Sequence, residues 1–152
     1  MAGPSFHFRL ERVRALRERT QKLAEQELAH AIRGRSQSAQ ELQAAETSLL
    51  RAHSEQRGPS AGAALGADEL RARQAFLERL EAQQGRHARE LERRSAEVTR
   101  RDALLTTAAS EHKMINRLRD RHRFAHEREL ARREQGTLDE IASVRFKRSV
   151  FR

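Results

Sequence analysis

Apolar residues recur every seven positions through the second half of this 152-residue chain. One phase of that repeat covers six successive places: Leu70, Leu77, Gln84, Leu91, Val98 and Leu105. Spacing of seven over this length is typical of a coiled coil, because it keeps one stripe of a helix against a partner helix. The first half carries the same spacing at Leu28, Leu42 and Leu49, with an arginine at the missing place. The leucines of both halves and Val98 are therefore predicted to form a helix–helix seam.

Small residues follow the first-half leucines at an offset of three, at Ala31, Ser38, Ala45 and Ala52. A seam that alternates large and small side chains lets two helix backbones approach closely. We therefore expect a seam that is narrow and that buries little area per residue.

One strong helix breaker separates the two halves. Residues 58–67, GPSAGAALGA, hold Pro59 and three of the seven glycines, a composition typical of a turn. Asp68 follows as a predicted N-cap, with Glu69 placed to favour the helix dipole. A short turn between two long arms predicts an antiparallel pair.

The predicted fold class is all-α, a long antiparallel two-helix coiled-coil hairpin with unequal arms. We expect a single elongated domain over residues 1–152, with arm one at about 6–57, the turn at 58–67, arm two at about 68–136 and a terminal segment at 137–152. Facing residues should have numbers that sum to about 125, which places residue 6 near residue 119. Gly136 is expected to interrupt arm two, and Thr137-Leu-Asp-Glu140 has the capping-box spacing that would restart a helix.

Composition argues against a globular core and restricts the function classes. Charged residues make up 35% and hydrophobic residues 37%, with no Trp, Tyr or Cys, whereas ordinary domains are about 45–50% apolar. The net charge of +9 suits nucleic acid, an acidic membrane or an acidic protein surface. No run approaches the length of a membrane span, and the start, MAGPSFHF, lacks the apolar core of a signal peptide. We expect a soluble intracellular protein.

No arrangement of residues predicts catalysis. The turn lacks the Lys-Ser or Lys-Thr that a phosphate-binding loop requires, and two packed helices offer no enclosed pocket. His122, His126 and Glu129 share a helical face and could hold a metal, but neighbouring arginines would repel a cation. We expect no enzyme activity, no cofactor, no metal and no small-molecule substrate.

Both ends of the chain carry apolar residues among basic ones. The opening FHFRLERVRALRE alternates Phe6, Phe8, Leu10 and Val13 with arginines, and the tail has Ile141 and basic residues beyond any partner in arm one. Leu10 and Val13 are expected to belong to the seam, and Phe6 and Phe8 to lie where the seam ends. The apolar stripe of the tail has no internal partner, which predicts an external one.

Two segments of the chain resemble the flagellar FliJ family of export proteins. They are FHFRLERVRALRERTQKLAEQELA at residues 6–29 and LDEIASVRFKR at 138–148, and the likeness extends over nearly the whole chain. The resemblance implies an antiparallel coiled coil similar to the central stalk of rotary ATPases. It also implies a non-enzymatic part of the flagellar type III export apparatus, at the cytoplasmic face of the membrane and only peripherally associated with it.

The resemblance implies three partners: the flagellar export ATPase ring, the membrane protein of the export gate, and export chaperones. The end bearing both termini would enter the ring and promote its assembly and activity. The residues expected to dock there are Phe6, Phe8, Arg9, Arg12, Val13, Leu138, Asp139, Glu140, Ile141, Arg145 and Arg148.

Two alternative functions stay open. RLRDRHRFAHER at residues 117–128 would suit a basic coiled-coil module that binds nucleic acid, although interspersed carboxylates make nucleic acid an unlikely partner. The chain would equally suit the related stalk protein of a virulence-type secretion system, since that protein shares the fold.

Overall fold

A computed structural model of the chain describes residues 5–57 and 66–150, with side chains as far as residue 146. Within those ranges it contains two α-helices and no strand: α1 at Glu11–Gln56 and α2 at Ala67–Val150. The helices are 46 and 84 residues long and pack against each other. The predicted all-α hairpin with unequal arms is thereby confirmed. Most of the predicted turn, residues 58–65, lies outside the described part of the chain.

The chain forms two compact units, and each contains pieces of both helices. The terminal unit comprises Met1–Gln21 and Thr107–Arg152. The other, Lys22–Thr106, contains most of the seven-residue repeats and is called here the heptad unit.

The heptad unit has antiparallel register. Arg101 of α2 bonds to the carboxylate of Glu27 on α1, and His87 Nδ1 lies 3.6 Å from Glu41 Oε2. Both pairs have residue numbers that sum to 128, close to the sum of about 125 expected for such a hairpin. Since these contacts run between exposed or half-buried side chains, they fix alignment more than they add stability.

Three small residues and one leucine are the most buried members of the seam. Ser38, Ala45 and Ala52 are 5%, 6% and 8% exposed, and Leu77 of α2 is 7% exposed. Six of the predicted seam residues are half-buried: Leu28, Leu42, Leu49, Leu91, Val98 and Leu105. The helices therefore meet where the side chains are shortest, and the leucines close over the flanks of the contact.

Leu70 departs from the predicted seam, because 53% of its surface is exposed. The observed register carries Leu70 past Gln56, the last residue of α1. A seam position without a helix opposite it stays open to solvent.

The start of α2 differs from the prediction by two residues. Gly66 O accepts hydrogen bonds from Glu69 N at 3.0 Å and Leu70 N at 3.1 Å, so Gly66 occupies the N-cap place. The prediction of Asp68 as the cap is wrong. Its carboxylate lies inside the first turn and pairs with Arg71 at 3.0 Å. Glycine is accepted at an N-cap, and an acidic residue in the first turn still favours the dipole.

The predicted interruption at Gly136 is also wrong. α2 passes through Gly136 and continues to Val150. Thr137 Oγ1 donates to Glu134 O at 2.7 Å and Ser143 Oγ donates to Asp139 O at 2.8 Å. These hydroxyls bond back into the helix instead of capping a new one. One glycine costs a helix about 1 kcal/mol, which good helix formers on both sides can offset.

Ion pairs three or four residues apart line the exposed surface of α2. They join Glu69 to Arg73, Glu90 to Arg93 and Arg94, Glu97 to Arg100 and Arg101, Glu127 to Arg123, and Glu129 to Arg133. Pairs at this spacing each stabilise a helix slightly, since solvent screens their charges. They support a helix whose sequence is too polar to be held by burial alone.

Enlarging a small seam residue should destabilise the pair. Ala45→Leu places a large side chain where the helices approach most closely, and overpacking of this kind costs about 1–3 kcal/mol. Ala44→Leu is the matched control, since Ala44 is exposed. Urea unfolding followed by circular dichroism should give a lower midpoint for Ala45→Leu only. Equal midpoints for the two variants would contradict a seam at Ala45.

Acid should weaken the fold through carboxylates such as Glu97. Hydrogen bonds from Arg100 and Arg101 hold the pKa of Glu97 below its ordinary value. The stability that such a group contributes is complete above its unfolded pKa of about 4.3, and it is lost as pH falls through the lower folded value. We expect the melting temperature to fall on acidification from about pH 5 to about pH 3.

Glu97→Gln should make that decline shallower, because the neutral amide has no proton to take up. Glu46→Gln, on the exposed surface of α1, serves as the comparison and should leave the decline unchanged. If both variants follow the parent at every pH, the Glu97 contacts do not contribute to acid sensitivity.

Candidate docking surface

All the residues predicted to dock belong to one unit. The five from Phe6 to Val13 lie in the first part of the terminal unit, and the six from Leu138 to Arg148 lie in its second part. The side chain of Arg148 is outside the described residues. The unit therefore contains both terminal motifs that the sequence singled out.

Residues 5–10 form a non-helical N-terminal strap that lies on α2. The Phe8 ring meets His122 edge-on with ring centroids 5.8 Å apart, and the Phe6 ring is tilted against His126 at 5.7 Å. Phe8 is only 5% exposed. Edge-to-face rings at these distances add attraction beyond area burial. Phe8 therefore contributes by fixing the strap rather than by offering a free ring.

The strap also begins α1. Glu11 N donates to Phe8 O at 3.1 Å, and Arg14 N donates to Leu10 O at 2.9 Å. The first bond closes a turn over residues 8–11 and the second is the first full turn of the helix. Phe8 thus has two roles. Its buried ring anchors the strap on α2, and its carbonyl oxygen accepts the hydrogen bond that begins α1.

Phe6 lies seven residues further along α2 than the predicted register places it, at His126 rather than near 119. A helix rises 1.5 Å per residue, whereas extended chain advances about 3.3 Å. Because the strap is not helical, it covers more of α2 per residue than the prediction assumed. Leu10 and Val13, which a continuous helix would place in the seam, are 38% and 41% exposed.

A polar network that the sequence did not reveal joins α1 to α2 within the terminal unit. His112 Nδ1 donates to Gln21 Oε1 at 2.8 Å, and Asn116 Nδ2 donates to His112 Nε2 at 3.0 Å. Oε1 of Gln21 can only accept and Nδ2 of Asn116 can only donate, so Nδ1 of His112 is the donor and its Nε2 the acceptor. Arg17 Nη1 lies 2.6 Å from Glu111 Oε2 alongside it. Polar partners at a seam specify register, because any slip would leave them unpaired.

His122 and His126 support aromatic contacts rather than a metal. Among the described residues, no group of three potential metal ligands comes together. Their rings instead form the surface on which the strap rests.

Exposed arginines mark the start of α1. Arg9, Arg12 and Val13 are all exposed. Arg14 Nη2 lies 2.6 Å from Glu11 Oε1, and its hydrogen bond holds the pKa of Glu11 below the ordinary value. Glu11 is thus neutralised locally, while Arg9 and Arg12 project into solvent.

Beyond the strap, the surface of α2 is open. Every described side chain from Ala131 to Phe146 is exposed. Leu138, Ile141 and Val144 are 60%, 51% and 46% exposed, and they are called here the apolar stripe. At 100° per residue, Val144 falls on the side of α2 that meets the strap at His126, while Ile141 lies about 60° and Leu138 about 120° around the helix from it. The stripe therefore runs from a flank of α2 to its packing side, in a region where α1 and the strap no longer cover it.

Charge is concentrated in the terminal unit. Its two segments contain 17 Lys and Arg against 9 Asp and Glu, a net of +8, while the heptad unit contains 14 against 13, a net of +1. Nearly all of the chain's net charge thus lies beside the apolar stripe. A surface of this kind attracts acidic partners over about a Debye length.

Comparison with known proteins identifies a family. The protein-family model described as "FliJ: Flagellar FliJ protein" matches residues 6–150, nearly the whole chain. No curated protein and no solved structure gives a match. Separately, none of the described helices is long and apolar enough to cross a membrane.

Truncation of Phe8 should release the strap. Removing a buried aromatic ring costs about 3–5 kcal/mol in a closed core, and here the loss should fall on the strap and the first turn of α1. Hydrogen–deuterium exchange of Phe8→Ala should show faster exchange at residues 9–14. Phe124→Ala is the control, because Phe124 is 62% exposed, and it should exchange like the parent. Unchanged protection in Phe8→Ala would refute the anchoring role.

Proposed function

This chain belongs to the flagellar FliJ family, and on that basis we propose that its terminal unit docks in the ring of the flagellar export ATPase. Family membership makes the chain a non-catalytic component of the flagellar protein-export apparatus. Docking in the ring, coupling to the export gate and assistance to export chaperones are the finer roles that we propose.

The observation that carries the proposal is an unpartnered apolar stripe inside a strongly basic unit. Leu138, Ile141 and Val144 are each about half exposed or more, and Val144 continues the side of α2 that packs against the strap at His126. Exposed apolar groups in a regular line fit a partner groove. Arg145 stands beside the stripe and is exposed, so an acidic rim around that groove would complement it.

The start of α1 supplies the second part of the proposed contact. Arg9 and Arg12 offer planar guanidinium groups that can bind carboxylates in two-point geometry. Val13 adds a small exposed apolar area between them. Phe6 and Phe8 hold this segment on α2 at His126 and His122, so the two parts of the docking surface are presented from one unit.

Docking of this kind would regulate a ring by differential contact. A single asymmetric coiled coil presents different faces to the different subunits of a ring. Subunits that bind one face more strongly are shifted toward the conformation that permits that contact. The chain would thereby promote assembly and ATP turnover without taking part in hydrolysis.

We assign the export gate and the chaperones to the heptad unit. Its net charge of +1 and its leucine flanks suit neutral protein contacts better than the basic terminal unit does. This arrangement would place the chain in the cytoplasm beside the membrane at the flagellar base, as a peripheral component.

Loss of the stripe should abolish stimulation of the cognate export ATPase. We expect the full-length chain to raise ATP turnover and a truncation after residue 136 to fail, because the truncation removes the stripe. The paired variant Leu138→Asp with Ile141→Asp should fail as well, since it places charge where the stripe would be desolvated. Turnover is measured with a coupled phosphate-release assay.

Ser143→Asp is the matched control. Ser143 is exposed, and at 100° per residue it projects from the side of α2 opposite Ile141. This variant should stimulate turnover like the parent. No stimulation by the full-length chain, or equal loss in Ser143→Asp, would refute docking through the stripe.

A further inference from the structure

A row of basic side chains runs along α2 on the side turned away from α1. It comprises Lys113, Arg117, Arg121, Arg128 and Arg132, with Phe124 at its centre. Successive members are three or four residues apart, so they share one helical face. The row spans 19 positions, or about 28 Å at 1.5 Å per residue. It is called here the basic row.

The row faces away from the seam. Ala108 is buried, and His112 and His126 contact α1 and the strap. Arg117 and Arg121 lie about 160–200° around the helix from that side. All six members of the row are exposed. The row is therefore a free surface of the terminal unit.

Most of its charge is not neutralised within the molecule. Among the described side chains, no ion pair engages Lys113, Arg117 or Arg121. Arg128 lies over the Phe124 ring with its central carbon 5.9 Å from the ring centroid, and Arg132 reaches Glu129 only at 4.0 Å. The carboxylates of Asp120, Glu127 and Glu129 project from the flanks of this face. Five cations thus point outward within a sector of about 100° along the helix.

The proposed docking surface does not use this row. At 100° per residue, Ile141 and Val144 lie about 80–180° around the helix from the members of the row, whereas Leu138 lies about 20–120° from them. The two surfaces therefore diverge at Ile141 and Val144 and adjoin at Leu138. Since a ring would enclose the whole terminal unit, the row is available to a membrane while the unit is outside the ring.

We propose that the basic row binds the surface of an anionic phospholipid membrane. The basic row lies on the convex outer surface of a helix, so a flat membrane can contact it along its length. The long side chains of all five cations can then reach the phosphate layer together. Each basic residue near such a surface strengthens binding about fivefold. Phe124, 62% exposed at the centre of the row, supplies an aromatic ring for the headgroup layer.

Other partners fit the row less well. A protein interface usually has an apolar centre that is poor in charge, and the row contains one apolar side chain among five cations. Single-stranded nucleic acid is bound in grooves with several stacking aromatic residues, whereas this face is convex and has a single ring. A plane of phosphate groups needs neither feature.

The test is co-sedimentation of the full chain with lipid vesicles at about 0.1 M salt, where the Debye length is about 10 Å. Vesicles made of three parts phosphatidylcholine to one part phosphatidylglycerol should bind the protein, and vesicles of phosphatidylcholine alone should not. Raising the salt to about 1 M should release the protein, because exposed charges are then screened within about 3 Å.

A triple variant, Arg117→Gln, Arg121→Gln and Arg128→Gln, should weaken that binding about a hundredfold, from about fivefold per residue. The control neutralises three exposed arginines of the heptad unit, with Arg51→Gln, Arg86→Gln and Arg89→Gln. It changes the net charge by the same amount and should bind within a few-fold of the parent. Circular dichroism should show equal helicity in both variants.

Three outcomes would overturn the proposal. They are absence of preference for the anionic vesicles, equal loss of binding in the control variant, and displacement of the vesicles by a single-stranded oligonucleotide that binds more tightly. Stimulation of the ATPase is measured without membranes, so failure of the membrane test leaves the docking proposal standing, and failure of docking does not affect the vesicle result.

Discussion

Close approach of two backbones at small side chains is the contact on which the heptad unit depends. Ser38, Ala45 and Ala52 are nearly inaccessible, and among the predicted seam leucines Leu77 alone is as well covered. A seam of this kind gains stability from dispersion at short range more than from area removed from water. Ion pairs along the helices then support a sequence that is otherwise too polar to stay helical by itself.

Much of this architecture could be predicted, because periodicity is a property of local sequence. Spacing of seven at Leu77, Leu91 and Leu105 indicated the seam, and the offset of Ala45 indicated how tight it would be. Errors arose where single residues were given too much weight. Gly136 has the local chemistry of a helix breaker, but the helix formers on both sides of it keep α2 continuous. Asp68 has the chemistry of an N-cap, but Gly66 occupies that position.

The candidate site was harder to predict, because its contacts join residues that are distant in sequence. Nothing in the spacing of Phe6 and Phe8 showed that they would rest on two histidines more than a hundred positions away. The hydrogen bond between Gln21 and His112 could not be predicted either, because nothing in the sequence distinguishes these two residues from other polar residues of the helices. Charge was easier to locate, since the excess of arginine near both termini was already visible in the sequence.

The strap covers part of α2 in the terminal unit, although the strap itself is not helical. The four residues before its turn, 5–8, would span about 13 Å at 3.3 Å each, which matches about nine residues of helix. Peeling them off would break two ring contacts and the turn bond at Phe8 but none of the bonds within α2. Removal of the strap would therefore lengthen the uncovered part of α2 by the segment around His122 and His126 while leaving the helix itself intact.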